Sequence, residues 1–168
     1  MRLAVTGTPG TGKTTATELV ESDLAVVHLN DVVREETLYT EVDEERDSLV
    51  ADLDAIEARF ADAEDVLIES HLAHLLDVDE VVVLRCAPDV LEERLRDRGE
   101  PDAKARENAE GEALDVILAE AVDRHGEDTV FEIDTTDASP DEVATAIEAV
   151  VAGRREPSAG TVDFTGYL

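Results

Sequence analysis

Residues 7–15 read GTPGTGKTT, and they stand between the apolar run RLAVTG (2–7) and a helical pattern that begins after Gly12. A strand that must stop, turn through glycines and open a helix within so few residues leaves the chain few folds. The spacing satisfies G-x-x-x-x-G-K-[ST] in the strand–loop–helix setting that gives the pattern its meaning. Glycines let successive backbone N–H groups point inward at one anion, and the helix N-terminus adds its partial positive charge. Lys13 is placed to reach the β- and γ-phosphates of a bound nucleotide, and the Thr14 hydroxyl to ligate Mg²⁺. Gly10, Thr11, Gly12, Lys13, Thr14 and Thr15 are the expected triphosphate contacts, so the chain is expected to bind a nucleoside triphosphate with Mg²⁺. The chain has only two lysines, Lys13 and Lys104, and one of them occupies this position.

Four more β-branched apolar runs follow: LAVVHL (24–29), DVLIES (65–70), EVVVLR (80–85) and TVFEID (129–134). Helical patterns fall between them, after Gly12, after Asn30, across 47–63, after Pro88, across 103–124 and after Pro140. Alternation of this kind predicts an α/β fold with a parallel sheet of about five strands. Ser139 is the expected cap of the last helix, with Pro140 in its first position. The chain shows no repeat and no internal linker, so residues 1–152 are expected to form one domain. From Gly153 the composition changes to GRREPSAGTVDFTGYL, a tail holding Phe164 and Tyr167, two of only five aromatic residues. Such a tail is expected to dock, most simply on its own core.

The chain carries 43 acidic residues against 14 basic ones, a formal net charge of -29, yet 43% of its residues are hydrophobic. The charge is therefore not a sign of disorder. Acid spread along the whole length, with lysine scarce, reads as adaptation to high salt, where screening removes the self-repulsion. It argues against nonspecific nucleic-acid or membrane binding, which needs a basic face. A basic protein partner stays open. The single Cys86 has no internal disulfide partner, which fits a reducing compartment. Met1 and Arg2 run straight into the first strand, leaving no room for a signal peptide, and no apolar run approaches the ~20 residues of a membrane span. A soluble, cytoplasmic protein is expected.

Two segments carry a closer resemblance. NDVVREE (30–36) is similar to the second-substrate segment of adenylate kinases, and APDVLEERLRDRGE (87–100) to the helix that precedes their lid. The chain thus resembles the nucleoside-monophosphate kinases. The resemblance implies a three-layer P-loop NTPase fold with a short NMP-binding segment, about 30–63, and a short lid, about 99–107. It implies that Asp31 caps a helix whose Arg34 grips the AMP phosphate; a guanidinium fork suits two phosphate oxygens. It also implies that Arg94 packs over the adenine of ATP and Arg98 contacts phosphate, while Arg96 points elsewhere. Arg94 and Arg98 are four apart and share a helix face. Arg106 is the lid arginine by position, and the lid has no paired cysteines for a zinc staple.

The stretch VLIESHLAHLL (66–76) refines the resemblance. Adenylate kinases carry Asp-Gly-Phe-Pro-Arg after this strand, whereas the chain has Glu69-Ser70-His71-Leu72-Ala73. A carboxylate followed two residues later by histidine resembles the Asp-x-His motif of the CINAP type, or adenylate kinase isoenzyme six. Residues 39–54 and the pair Asn108 and Glu112 also resemble segments of that family. What the resemblance implies is a small adenylate-kinase-like ATPase linked to small-ribosomal-subunit maturation, with a basic platform ribosomal protein as partner. Glu69 would then hold Mg²⁺ through water, beside Thr14, and His71 would face the γ-phosphate or an attacking water. His74 is expected to face a neighbouring helix. Lys13, Glu69, His71 and Arg98 are the expected catalytic groups. The expected activity is Mg-dependent transfer from ATP to AMP, giving two ADP, with ATPase activity beside it; the alternative is an ATP-gated switch in ribosome assembly with little kinase activity. Another small-molecule phosphate-loop kinase, for shikimate or a nucleoside, is the runner-up.

Overall fold

Alternation along the strands sorts the core into two halves. The structure, a computed structural model, describes residues 1–46 and 48–168. Its main sheet holds β1 (Arg2–Thr6), β2 (Ala25–His28), β5 (Val66–Glu69), β6 (Glu80–Arg85) and β7 (Val130–Asp134) in the order β2-β5-β1-β6-β7. All four pairings are parallel. Ala4, Ile68, Val81 and Val83 point to one face, where Ile56, Phe60, Leu118 and Ala121 cover them. Leu3, Val5, Leu67, Val82 and Leu84 point to the other, beneath Ala16, Val143, Ile147 and Val150. Helices therefore lie on both faces: α2 (Leu29–Glu35), α3 (Leu53–Phe60) and α6 (Val116–His125) on the first, α1 (Lys13–Glu18) and α7 (Pro140–Val151) on the second. This is the expected three-layer fold.

Local sequence explains the helix starts. Ser139 accepts from the Glu142 amide at 3.2 Å with Pro140 following, and Asp52 accepts from the Ala55 amide at 3.1 Å. Along α7 the buried residues are Val143, Ala144, Ile147 and Val150, a 3–4 spacing that turns one stripe to the sheet. Burial of a side chain such as Ile147 stabilises the fold by about 1.5–3 kcal/mol. A third cluster, Cys86, Leu91, Leu95 and Ala105, joins α4 (Pro88–Asp97) to α5 (Asp102–Ala113). Burial pushes the Cys86 thiol up to about 11, so this cysteine packs and does not react.

Three expectations need correction. The helix expected across 47–63 is confined to α3; a hairpin of β3 (Tyr39–Asp43) and β4 (Ser48–Ala51) precedes it, and Asp47 lies outside the described residues. Leu49 and Ala51 of β4 pack onto the core while Ser48 and Val50 face out, a period of two; in β3 Tyr39 packs in, and an irregularity between Tyr39 and Glu41 breaks the alternation. The helix expected across 103–124 is two helices, because Asp115 adopts φ 55 and turns its carboxylate onto Arg85 at 2.5 Å. The helix after the second strand starts at Leu29, with His28 at its cap, so Asp31 lies in the first turn and does not cap it. There its charge still favours the helix N-terminus.

The tail docks on the domain itself. The Ser158 amide donates to the Val130 carbonyl at 3.0 Å, and the Tyr167 hydroxyl to Glu92 at 2.8 Å.

Candidate functional site

The carboxyl ends of the parallel strands bring Thr6, His28, Glu69 and Arg85 to one edge of the sheet, where ligands bind in open α/β folds. The phosphate loop leaves the central strand at that edge. Gly10 holds φ 93, and a Cβ there would come within 2.9 Å of Leu91, so the loop is pressed against α4. Gly12 holds φ 90 at the cap of α1, but a Cβ on it would meet nothing within 4 Å. Glycine is required at Gly12 by conformation, not by crowding. Lys13, 9% exposed, folds back over the loop and donates to the carbonyls of Gly7 at 2.8 Å and Thr8 at 3.1 Å. Burial lowers its pKa to about 8; Glu69 and Glu112 oppose the fall, and Arg98 adds to it.

Glu69 ends β5, buried between β1 and β2. The Thr14 hydroxyl donates to one carboxylate oxygen at 3.5 Å, so the two groups expected to serve Mg²⁺ face each other. The other oxygen takes the Nδ1–H of His28 at 2.8 Å, which fixes that ring's tautomer because the carboxylate only accepts. His28 is a site residue the sequence reading passed over. It was legible in principle: once β2 lies beside β5, the parallel register sets His28 directly opposite Glu69.

His71 is half-buried two residues beyond Glu69. Burial first, then the charges of Lys13, His74 and Lys104, push its pKa down to about 4, so the ring is neutral at ordinary pH. His74, 1% exposed, contacts the Thr6 hydroxyl through Nδ1 and Glu120 of α6 through Nε2, both at 2.8 Å. It faces the neighbouring helix, and both nitrogens are engaged away from Glu69. The loop carrying His71 is also pinned by Ser70, which donates to Asn30 at 2.9 Å. Ala73 is fully buried in the core, so the position where adenylate kinases place an arginine could not carry one here.

Beside the loop lies a cavity of about 210 Å³ lined by Gly10, Thr15, Arg94, Thr135, Pro140 and Val143. Arg94 braces its wall by donating to the carbonyls of Thr135 at 3.2 Å and Thr136 at 3.3 Å. Arg98 is exposed, 3.6 Å from Glu100, and near enough for its charge to act on Lys13. Arg96 points outward to Glu92 and Asp102. Arg106 is exposed, and its charge acts on Tyr167 in the tail; the cation of α5 whose charge reaches His71 is Lys104. Arg34 lies exposed in the last turn of α2, next to Glu36, which is itself taken by Arg59 at 2.8 Å.

Behind the loop is a buried ionic cluster that sequence reasoning found only in part. Arg85 donates through Nε to Glu112 at 2.7 Å and through its other nitrogens to Glu132 and Asp115, both at 2.5 Å. Glu112, marked by its spacing from Asn108, also accepts from the Thr8 hydroxyl at 2.6 Å. Arg85 ends one strand-like run and Glu132 sits in the middle of another, and neither run contains the partner that gives it meaning.

The profile of a family described as AAA domain matches residues 3–115. A protein of Natronomonas pharaonis named "Putative adenylate kinase" is 69% identical over 168 residues and aligned over all of both chains. A protein of the same name from Methanocaldococcus jannaschii is 37% identical, covering 98% of this chain and 93% of its own. Among solved structures, shikimate kinase from Bacteroides thetaiotaomicron superposes with a TM-score of 0.57 at 16% identity, over 90% of this chain and 98% of that one. Deoxyadenosine kinase from M. mycoides with bound dATP gives 0.53 at 12% identity, over 90% of this chain and 100% of its own. These two share the fold. With the phosphate loop inside the matched profile and a full-length match to an archaeal relative, the chain belongs to the AAA-domain family of phosphate-loop proteins, in the group whose archaeal members bear the adenylate kinase name.

Proposed function

We propose that the protein is a nucleoside-monophosphate kinase that transfers the γ-phosphoryl group of MgATP to AMP. One observation carries the reading: the phosphate loop lines the cavity beside Arg94 with Gly10, Thr11, Gly12 and Thr15, and its Thr14 faces Glu69 at 3.5 Å. The cavity takes the base, and the loop amides take the phosphates. Lys13 leaves the Gly7 and Thr8 carbonyls for the β- and γ-phosphates, exchanging neutral acceptors for anionic ones and recovering the charge that burial disfavours. Thr14 and Glu69 would hold the Mg²⁺ that arrives with ATP, which would supply positive charge against the phosphates. An AMP phosphate oxygen then forms the new bond to the γ-phosphorus while the bond to the ADP oxygen breaks. Arg98 stabilises the transferring group, and Asp31 and Arg34 belong to the AMP side. His71, neutral, donates a hydrogen bond to the γ-phosphate or holds a water in its place.

A second reading has its own support. Buried Ala73 removes a phosphate-gripping arginine from the acceptor side, which favours water as the acceptor and an ATP-driven switch. Its partner would be a basic protein of the small ribosomal subunit, complementary to a chain of net charge -29. Phosphorus NMR of the protein with MgATP in molar KCl, with and without AMP, separates the two. ADP formed only when AMP is present, without inorganic phosphate, supports the kinase. Inorganic phosphate formed without AMP, and lost in His71→Ala, supports the switch. No turnover of either kind overturns both.

A further inference from the structure

The tail from Gly153 has no part in the reaction above, yet it reaches the phosphate loop through an unbroken set of polar contacts. The amides of Thr161 and Val162 donate to one carboxylate oxygen of Glu132, at 2.8 and 3.1 Å. The other Glu132 oxygen holds Arg85, Arg85 holds Glu112, and Glu112 receives the Thr8 hydroxyl inside the loop. Phe164 lies on the guanidinium of Arg85, its ring centre 5.4 Å from Cζ. Side-chain exposure is 1% for Arg85, 0% for Glu132 and 3% for Glu112.

One guanidinium here serves three carboxylates, those of Glu112, Glu132 and Asp115. It cannot satisfy all their lone pairs, and a buried carboxylate oxygen left without donors is strongly unfavourable. The missing donors come from the tail on the Glu132 side, and on the Glu112 side from the Cys86 amide at 3.1 Å and from Thr8. Removing the tail's donors would pull Arg85 toward Glu132 and away from Glu112. Glu112 would then lose the orientation that fixes Thr8, whose carbonyl is also an acceptor for Lys13.

From this geometry we infer that Glu132, Arg85 and Glu112 are positioning residues for the phosphate loop, and that the docked tail sets their arrangement. Residues 158–164 thus tune nucleotide affinity from behind the site. The inference rests on nucleotide binding at the loop but adds a control element to it.

The test uses the full chain in molar KCl with four variants: Thr8→Val, Phe164→Ala, the double variant, and Tyr167→Phe, which removes a tail contact outside the relay. Calorimetric titration with MgADP should show Phe164→Ala and Thr8→Val each weakening binding about 3–10-fold, with the double variant no weaker than Thr8→Val alone. Thr8→Ser should restore affinity, and Tyr167→Phe should leave it unchanged. Effects that multiply, or a Phe164→Ala variant that loses thermal stability without losing affinity, overturn the relay. A second measurement needs no nucleotide. Amide hydrogen exchange at Thr8, Gly10, Thr11 and Gly12 of the free protein should quicken in Phe164→Ala and not in Tyr167→Phe. Equal exchange in wild type and both variants overturns the relay even if MgADP binds, whereas quickened exchange without MgADP binding supports it and sinks the nucleotide reading alone.

Discussion

Lys13 offers the most direct test of how the free site is held. Its ammonium is buried against two neutral carbonyls, and its pKa falls from 10.5 to about 8. Between those values the folded chain binds fewer protons than the unfolded chain, so stability must rise with pH through that window. A shift of this size is worth about 3 kcal/mol in full, of which about 2 kcal/mol is released between about pH 7 and 9.5. For a chain of this length that moves the thermal midpoint upward by about 4–8 °C. Lys13→Met removes the titrating group, so its pH profile should lack this rise. At pH 7 it should also unfold at a higher temperature than wild type, offset in part by two lost hydrogen bonds.

The assay is thermal unfolding followed by circular dichroism in molar KCl, from pH 7 to 9.5, on both proteins. Only the difference between the two profiles is diagnostic, since other groups titrate in both. Anion binding gives the converse. Sulfate, which does not titrate in this range, restores the ammonium, so its binding at about pH 8.5 should take up roughly three-quarters of a proton, measured by calorimetry in buffers of different ionisation enthalpy. Parallel stability profiles, or sulfate binding without proton uptake, would refute the claim that the free site keeps its lysine desolvated.

His28→Ala should raise the Mn²⁺ concentration needed to saturate the nucleotide complex about 5–10-fold, read by electron paramagnetic resonance, while metal-free ADP binds as before; an unchanged Mn²⁺ titration would show that Glu69 needs no positioning. His71, with its pKa lowered to about 4, destabilises the fold as pH falls from about 6.5 toward 4, where the unfolded ring takes a proton and the folded one resists. His71→Phe should therefore flatten the acid limb of the stability profile, and a limb identical to wild type would contradict the shift. With a net charge of -29, the protein should lose its far-ultraviolet circular dichroism in dilute buffer and regain it in molar KCl; full structure without salt would refute the halophilic reading.

How far the sequence carries the fold follows from periodicity. The five sheet strands are short β-branched runs, and α4 and α7 announce themselves by proline at the first turn. The failures lie where one signal masks another. Glu41, Asp43, Glu44 and Glu45 crowd the end of β3 and the turn of the β3–β4 hairpin, so the segment passes for a solvated helix face. Asp115 breaks a helix that propensity would continue, because its carboxylate gains a buried guanidinium thirty positions away, and no local rule contains that partner.

The site divides in the same way. A phosphate loop is legible because its glycines and lysine serve backbone geometry and one anion, all within a few consecutive residues. Glu69 and His71 are legible because they follow a strand that must lie beside the loop. His28 and Arg85 stay hidden, since each is ordinary in its own segment and acquires meaning only from the residue across the sheet. His28 is a strand end until β5 brings Glu69 to 2.8 Å; Arg85 is a charged strand end until α5, β7 and the tail close over it. Hidden residues of this kind act on the legible ones: His28 holds Glu69, and Arg85 holds the Glu112 that holds Thr8. The candidate site is therefore written in local motifs, while the groups that orient it are written in strand order.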